Sequence, residues 1–255
     1  MTTVGIIAPR SIARIAEEHG VDYVEPTIVG NVVLIGDDGV LRLNPEFEGE
    51  RYPSFAILLP GDVKVSDPAF DFARVQDYFV QVFAVLSAVA EPGAKIVFGS
   101  GGARRIPEGA DRTAAEKRFA QSLVAARDTA AVHGLRVMLE PLHRGETNLI
   151  HTLGEAAAFL DAHGIDGVPL IADLFHIEVE REALSTVSEH IERIGHAHIA
   201  DAGRLWLGSG DGSWREFVAT LRTAGFTGPV SLECNWGEDV PTEVAASITA
   251  LRALS

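Results

Sequence analysis

LRVMLEP (135–141), VPLIADL (168–174), IGHAHIA (194–200) and PVSLE (229–233) follow one another along the chain, each an apolar run carrying polar side chains at or near its end. Continuous apolar runs are expected of parallel strands buried on both faces. Towards the amino terminus four more such runs occur: VGIIAP (4–9), VDYVEP (21–26), SFAILLP (54–60) and AKIVFGS (94–100). Stretches with a 3.6-residue apolar period separate most of them. Phe70, Phe79, Val82, Phe83 and Leu86 are expected on one buried side, and Phe119, Leu123 and Ala126 on another. Gly20, Gly134, Gly164 and Gly225 each fall where a helix should end before a strand, the place of a left-handed cap. Strands alternating with helices imply βαβ units, and eight strands imply closure. The expectation is an α/β chain, a (β/α)8 barrel forming a single domain over 1–255. One connection departs from the pattern: in 27–52, VVLIG-DDG-VLRL reads as a hairpin with an Asp-Gly turn.

The 255 residues are 47% hydrophobic and 22% charged, which suits a large core and excludes a disordered chain. A formal charge of −15 gives no counterion-release drive towards nucleic acid, although local arginines can still receive a small anion. Cys234 is the single cysteine, so no intramolecular disulfide can form. The start MTTVGIIAPR lacks the pattern of a signal peptide, and no run approaches the roughly 18 apolar residues of a membrane span. A cytoplasmic chain with no membrane partner is expected.

In such a barrel the chemistry lies at the carboxyl ends of the strands. Strand five ends in Glu140, strand six in Asp173 and strand eight in Glu233, while strand seven carries His196 and His198 on one side. Singly, each has a plain reading as a cap, an ion-pair partner or a core histidine. Together, four consecutive strands present metal-competent groups at one rim, where unpaired carboxylates would repel. One divalent cation resolves that repulsion. Three carboxylates and one imidazole suit Mn²⁺ first, with Mg²⁺, Co²⁺ or Zn²⁺ as alternatives.

These residues resemble the xylose isomerase-like barrel superfamily, and more closely its ketose 3-epimerase and sugar-phosphate isomerase/epimerase branch. The resemblance runs along nearly the whole chain and is most specific from 137 to 236. The family motif E-x-x-N-R-x-E-x-x-x-x-N-T is met by E140-PLHRGETNLIH-T152, with His143 and His151 standing where Asn is usual. Asp173 and His176 match its D-x-x-H, His196 and His198 match its H-x-H, Arg204 follows six residues later, and Glu233 closes strand eight. The resemblance implies that Glu140, Asp173, His198 and Glu233 hold the metal. It also implies that Glu146, His176 and Arg204 bind a carbohydrate substrate, and that the assembly is a homodimer or homotetramer.

The activity implied is a metal-dependent sugar or sugar-phosphate isomerase/epimerase. A chelated ketose is acidified at the carbon next to its carbonyl, and Glu140 and Glu233 exchange a proton with opposite faces of that carbon through an enediolate. Hydroxypyruvate isomerase and inosose or dehydroshikimate dehydratase share the ligand pattern. An apurinic endonuclease needs early-strand histidines that are missing here, and a non-catalytic sugar-binding barrel is disfavoured by an intact ligand set. Two loops are candidates for an anionic substrate group: FGSGGARRIPEG (98–109), with Arg104 and Arg105, and GRLWLGSGDGSW (203–214). Trp206, Trp214 and Trp236 are candidates for stacking on a sugar face.

Overall fold

The computed structural model describes residues 3–254. Its barrel strands are β1 (Val4–Ile6), β2 (Tyr23–Val24), β3 (Tyr52–Phe55), β4 (Ala90–Phe98), β5 (Arg136–Leu139), β6 (Leu170–Asp173), β7 (Ile194–Ile199) and β8 (Val230–Leu232). All neighbours are parallel, in the order β2-β1-β8-β7-β6-β5-β4-β3. A parallel bridge between Thr27 and Ala56, just past β2 and β3, closes the ring. The eight expected runs are the eight strands. β4 begins four residues earlier than its apolar run, because Tyr52 pairs with Ala90 ahead of an irregularity in the register.

The helices are α1 (Arg10–Glu18), α2 (Phe72–Leu86), α3 (Gly101–Arg104), α4 (Arg112–Val132), α5 (Leu153–Ala162), α6 (Leu174–Glu180), α7 (Ser185–Glu189), α8 (Trp214–Thr223) and α9 (Val240–Arg252). Side-chain caps start several of them: Asp71 accepts from Ala73 N–H, Asp111 from Ala114 N–H and Thr152 from Glu155 N–H. The four predicted cap glycines all adopt positive φ, between 60° and 82°. Phe79, Val82, Phe83 and Leu86 of α2 are buried together, as are Phe119, Leu123 and Ala126 of α4; Phe70 packs half-buried just before α2. Between β2 and β3 stands the predicted hairpin, Val33–Ile35 against Leu41–Leu43, followed by a 3₁₀ turn at Pro45–Phe47.

The alternation of buried residues sorts the barrel into two faces. Val4, Ile6, Val24, Ile96, Phe98, Val137, Leu139, Leu170, Ala172, Ala197, Ile199, Val230 and Leu232 all belong to the main core shared with the helices. Side chains one position away therefore face inward. Val97, Met138 and Ile171 form a small apolar cluster of their own there. The same parity turns Glu25, Glu140, Asp173, His196, His198, Ser231 and Glu233 inward. The strand that brings an apolar residue to the helices delivers a polar one to the barrel mouth.

Candidate active site

Glu140, Asp173, His198 and Glu233 converge: one donor atom from each lies within 4.8 Å of all the others. His198 Nδ1 is 3.2 Å from Glu140 Oε1 and 3.1 Å from Glu233 Oε2. Asp173 caps α6, accepting from Phe175 N–H at 2.8 Å with one oxygen and from Arg204 Nη2 at 3.2 Å with the other. Arg204 also donates to Glu233 Oε1 at 2.6 Å and stands 3.9 Å from Glu146. It sits at φ 65°, an uncommon backbone state for a side chain of this size, in the turn that follows β7. Glu140 has room because the residue just after β4 is Gly99: a Cβ there would lie 2.1 Å from Glu140 Oε2.

The electrostatics follow from crowding carboxylates in a buried rim. Burial, reinforced by Glu233 and Glu140, lifts Asp173 to about 6 despite the opposing pull of His176 and Arg204. For Glu233 burial acts upward, but hydrogen bonds and charge from His198 and Arg204 outweigh it and bring the group down to about 2. His198 is raised well above an ordinary histidine, because Glu25, Glu140 and Glu233 together overcome its burial. Three carboxylates and an imidazole, all inward-facing and all buried except the half-buried Glu233, form a donor set of the hardness and charge that a divalent cation takes.

The residues expected on the substrate side are placed unequally. Glu146 and Arg204 line the mouth, with side chains partly open to solvent. His176 is 2% exposed and stands behind Asp173, its Nε2 3.5 Å from Asp173 Oδ2 while Nδ1 accepts from the backbone N–H of His143. His143, in place of the usual Asn, points Nε2 at Glu146 Oε1 at 3.3 Å. His151 is buried away from the mouth, its Nδ1 bonded to the Leu142 carbonyl at 3.0 Å.

Both loops proposed for an anion are otherwise engaged. Arg104 is 0% exposed and turns inward, donating to the carbonyls of Glu140 at 2.7 Å and Ile150 at 3.4 Å. Burial brings it down to about 10 even with Glu140 and Glu146 nearby. Arg105 donates to the Gly145 carbonyl. In the glycine-rich loop after β7, the backbone N–H groups of Ala202, Gly208, Gly210 and Gly212 all point at the Asp201 carboxylate, at 2.7–3.2 Å. The loop is an anion nest already filled by its own aspartate. Trp214 is 1% exposed and packs in the core, so it offers no face to a sugar; Trp206 and Trp236 are half-buried.

Sequence reasoning missed Glu25. It follows β2, is 0% exposed, and faces His196 Nε2 at 2.8 Å and His198 Nε2 at 3.4 Å. The signal was present as VEP at 24–26, which repeats LEP at 139–141.

The family model for xylose isomerase-like TIM barrels matches residues 13–254. The chain belongs to this family. Within it, an L-ribulose 3-epimerase from Methylomonas sp. (strain DH-1) is 27% identical over 247 residues, spanning 94% of this chain and 82% of the relative. A 3-dehydro-D-guloside 4-epimerase from Escherichia coli (strain K12) is 30% identical over 161 residues, 60% of this chain and 62% of that one. Among solved structures, an L-ribulose 3-epimerase superposes with TM-score 0.79 at 21% identity, covering 100% of this chain and 94% of that chain. The apo 3-keto-D-glucoside 4-epimerase of E. coli gives 0.77 at 21% identity, covering 99% and 100%. These structures share the family's fold with this chain.

Proposed function

We propose that this chain is a divalent-metal-dependent epimerase or isomerase of free keto sugars, moving a proton at the carbon next to the carbonyl. One observation carries the reading: Glu140 just past β5 and Glu233 just past β8, strands with two others between them, both reach His198 Nδ1, at 3.2 and 3.1 Å. Two carboxylates that approach one point from different parts of a rim can address opposite faces of a planar carbon. A metal held by Glu140, Asp173, His198 and Glu233 would supply the Lewis acidity that makes the α C–H acidic. Glu140 and Glu233 then act as the acid/base pair, one removing the proton and the other returning one to the opposite face. Arg204 orients Glu233 through its 2.6 Å bond and, with Glu146, holds the substrate's oxygens, while His176 acts from beside Asp173, 3.5 Å away.

Two relatives named as epimerases of L-ribulose and of 3-dehydro-D-guloside support inversion as the outcome. The filled nest around Asp201 and the inward turn of Arg104 argue for an unphosphorylated substrate. Mn²⁺ as the ion, one domain over 1–255, a cytoplasmic setting and a dimer or tetramer complete the reading. Among the described residues no helix is long and apolar enough to cross a membrane.

The test is a panel of free ketoses, ketose phosphates, hydroxypyruvate and inososes, with Mn²⁺ in D₂O. The expected product is a free ketose inverted at one carbon and carrying one solvent deuterium there. Glu140→Gln and Glu233→Gln should each lose turnover while remaining folded. Turnover confined to phosphorylated sugars, or retained in either variant, refutes the corresponding part.

A further inference from the structure

Glu25, His196 and Ser231, with the half-buried Tyr23, form a polar group inside the barrel, beneath the rim, that the proton transfers do not use. Glu25 is held from several sides. Its Oε2 faces His196 Nε2 at 2.8 Å and accepts the Ser231 hydroxyl at 2.6 Å. Ser231 Oγ in turn lies 2.7 Å from the Tyr23 hydroxyl, which donates to it. Tyr23 reaches across β1 only because residue 5 is glycine; a Cβ there would stand 2.1 Å from the ring. The other oxygen, Oε1, and His198 Nε2 are both buried without a hydrogen-bond partner and face each other at 3.4 Å. Closing that gap by a few tenths of an ångström satisfies both, and leaving either unsatisfied in a buried site is costly.

We propose that Glu25 is a positioning residue for His198: it accepts a hydrogen bond from Nε2, so that Nδ1 presents its lone pair between Glu140, Asp173 and Glu233. The inference rests on the metal reading above. An imidazole binds a metal through one nitrogen, and the group on the other nitrogen fixes both tautomer and ring orientation. Glu25 is suited to that work because Ser231 and His196 leave only Oε1 free, aimed at one atom. A barrel-filling role alone would affect stability and leave metal binding unchanged.

Titration of the metal-free full-length chain with Mn²⁺, followed by electron paramagnetic resonance, separates the two roles. The isosteric Glu25→Gln variant should bind one Mn²⁺ about 10- to 100-fold more weakly than wild type. Ser231→Ala, which removes one of the donors that hold Glu25, should show a smaller loss in the same direction. In the Zn²⁺-loaded wild type, long-range ¹H–¹⁵N correlation should find the proton of His198 on Nε2 and the metal on Nδ1, a readout independent of how any variant folds. Wild-type affinity in Glu25→Gln, or metal on Nε2, overturns the inference alone. A wild type that takes up no Mn²⁺, or a His198→Ala variant that binds it equally well, overturns the metal reading and this inference with it.

Discussion

Gly99→Ala tests the site at its tightest point. The added methyl would lie 2.1 Å from Glu140 Oε2, with Glu140 Cδ at 3.3 Å and Leu142 Cδ2 at 3.4 Å. The first contact is impossible and the other two are tolerable, so the carboxylate end must recede by about 1 Å while the stem stays in place. That exceeds the roughly 0.5 Å tolerance of a preorganised catalytic group, and a 1 Å misplacement costs on the order of 10²-fold in rate. Stability should hardly move. Gly99 is not among the residues at positive φ, so alanine recovers up to about 1 kcal/mol of unfolded-state entropy against the cost of swinging one side-chain end. At about 2–4 °C per kcal/mol for a chain of this size, the melting temperature should stay within about 4 °C of wild type. Steady-state kinetics on the best free ketose and a thermal melt suffice. A variant with wild-type kcat and metal affinity would refute the claim that the Glu140 carboxylate must occupy this position.

The metal reading predicts that chelation abolishes turnover and that Mn²⁺ restores it. At 100 times its Kd the ion adds about 2.7 kcal/mol to stability, raising the melting temperature by roughly 5–11 °C, which scanning calorimetry will register. Arg104→Met should destabilise the chain by about 2 kcal/mol, since it leaves the Glu140 carbonyl without its donor and removes a fully buried side chain, while the Ile150 carbonyl keeps the Leu142 N–H; a loss below about 1 kcal/mol in urea unfolding contradicts the role given to Arg104. Asp201→Gly should free the backbone amides of Ala202, Gly208, Gly210 and Gly212, costing about 2–4 kcal/mol after water replaces some of the lost bonds. Limited proteolysis should then cut that loop faster, and added phosphate should slow the cutting in the variant but not in wild type.

Much of this was legible because strand parity is local. In MLEP, IAD, AHI and SLE, each apolar residue bound for the helices sits beside a polar one bound for the mouth, and both facts lie in adjacent letters. The hairpin was legible for the same reason, its Asp-Gly turn lying between two matched apolar runs. Glu25 obeys the parity too, but its partners His196 and Ser231 lie 171 and 206 residues away, and only closure of the barrel joins them. Arg104 reads as a solvent-seeking cation in a glycine-rich loop; its burial depends on carbonyls 36 and 46 residues downstream. Trp214 opens α8 next to the loop after β7, and only the helix's rotation decides that the indole goes to the core. The composition of 203–214 announces a cluster of free amides. It does not announce which anion they hold.

That anion is a permanent lodger. A carboxylate on the same chain confronts its amides at an effective concentration far above the millimolar phosphate of any cell, and it cannot diffuse away. Dilution, dialysis or competing metabolites leave the seat taken. Discrimination against phosphorylated sugars would therefore be written into the covalent chain at one position, Asp201, whose carboxylate serves the loop amides and not the groups that handle the proton. Substrate charge and reaction chemistry become separately adjustable, the first by emptying a loop and the second by altering the strand ends.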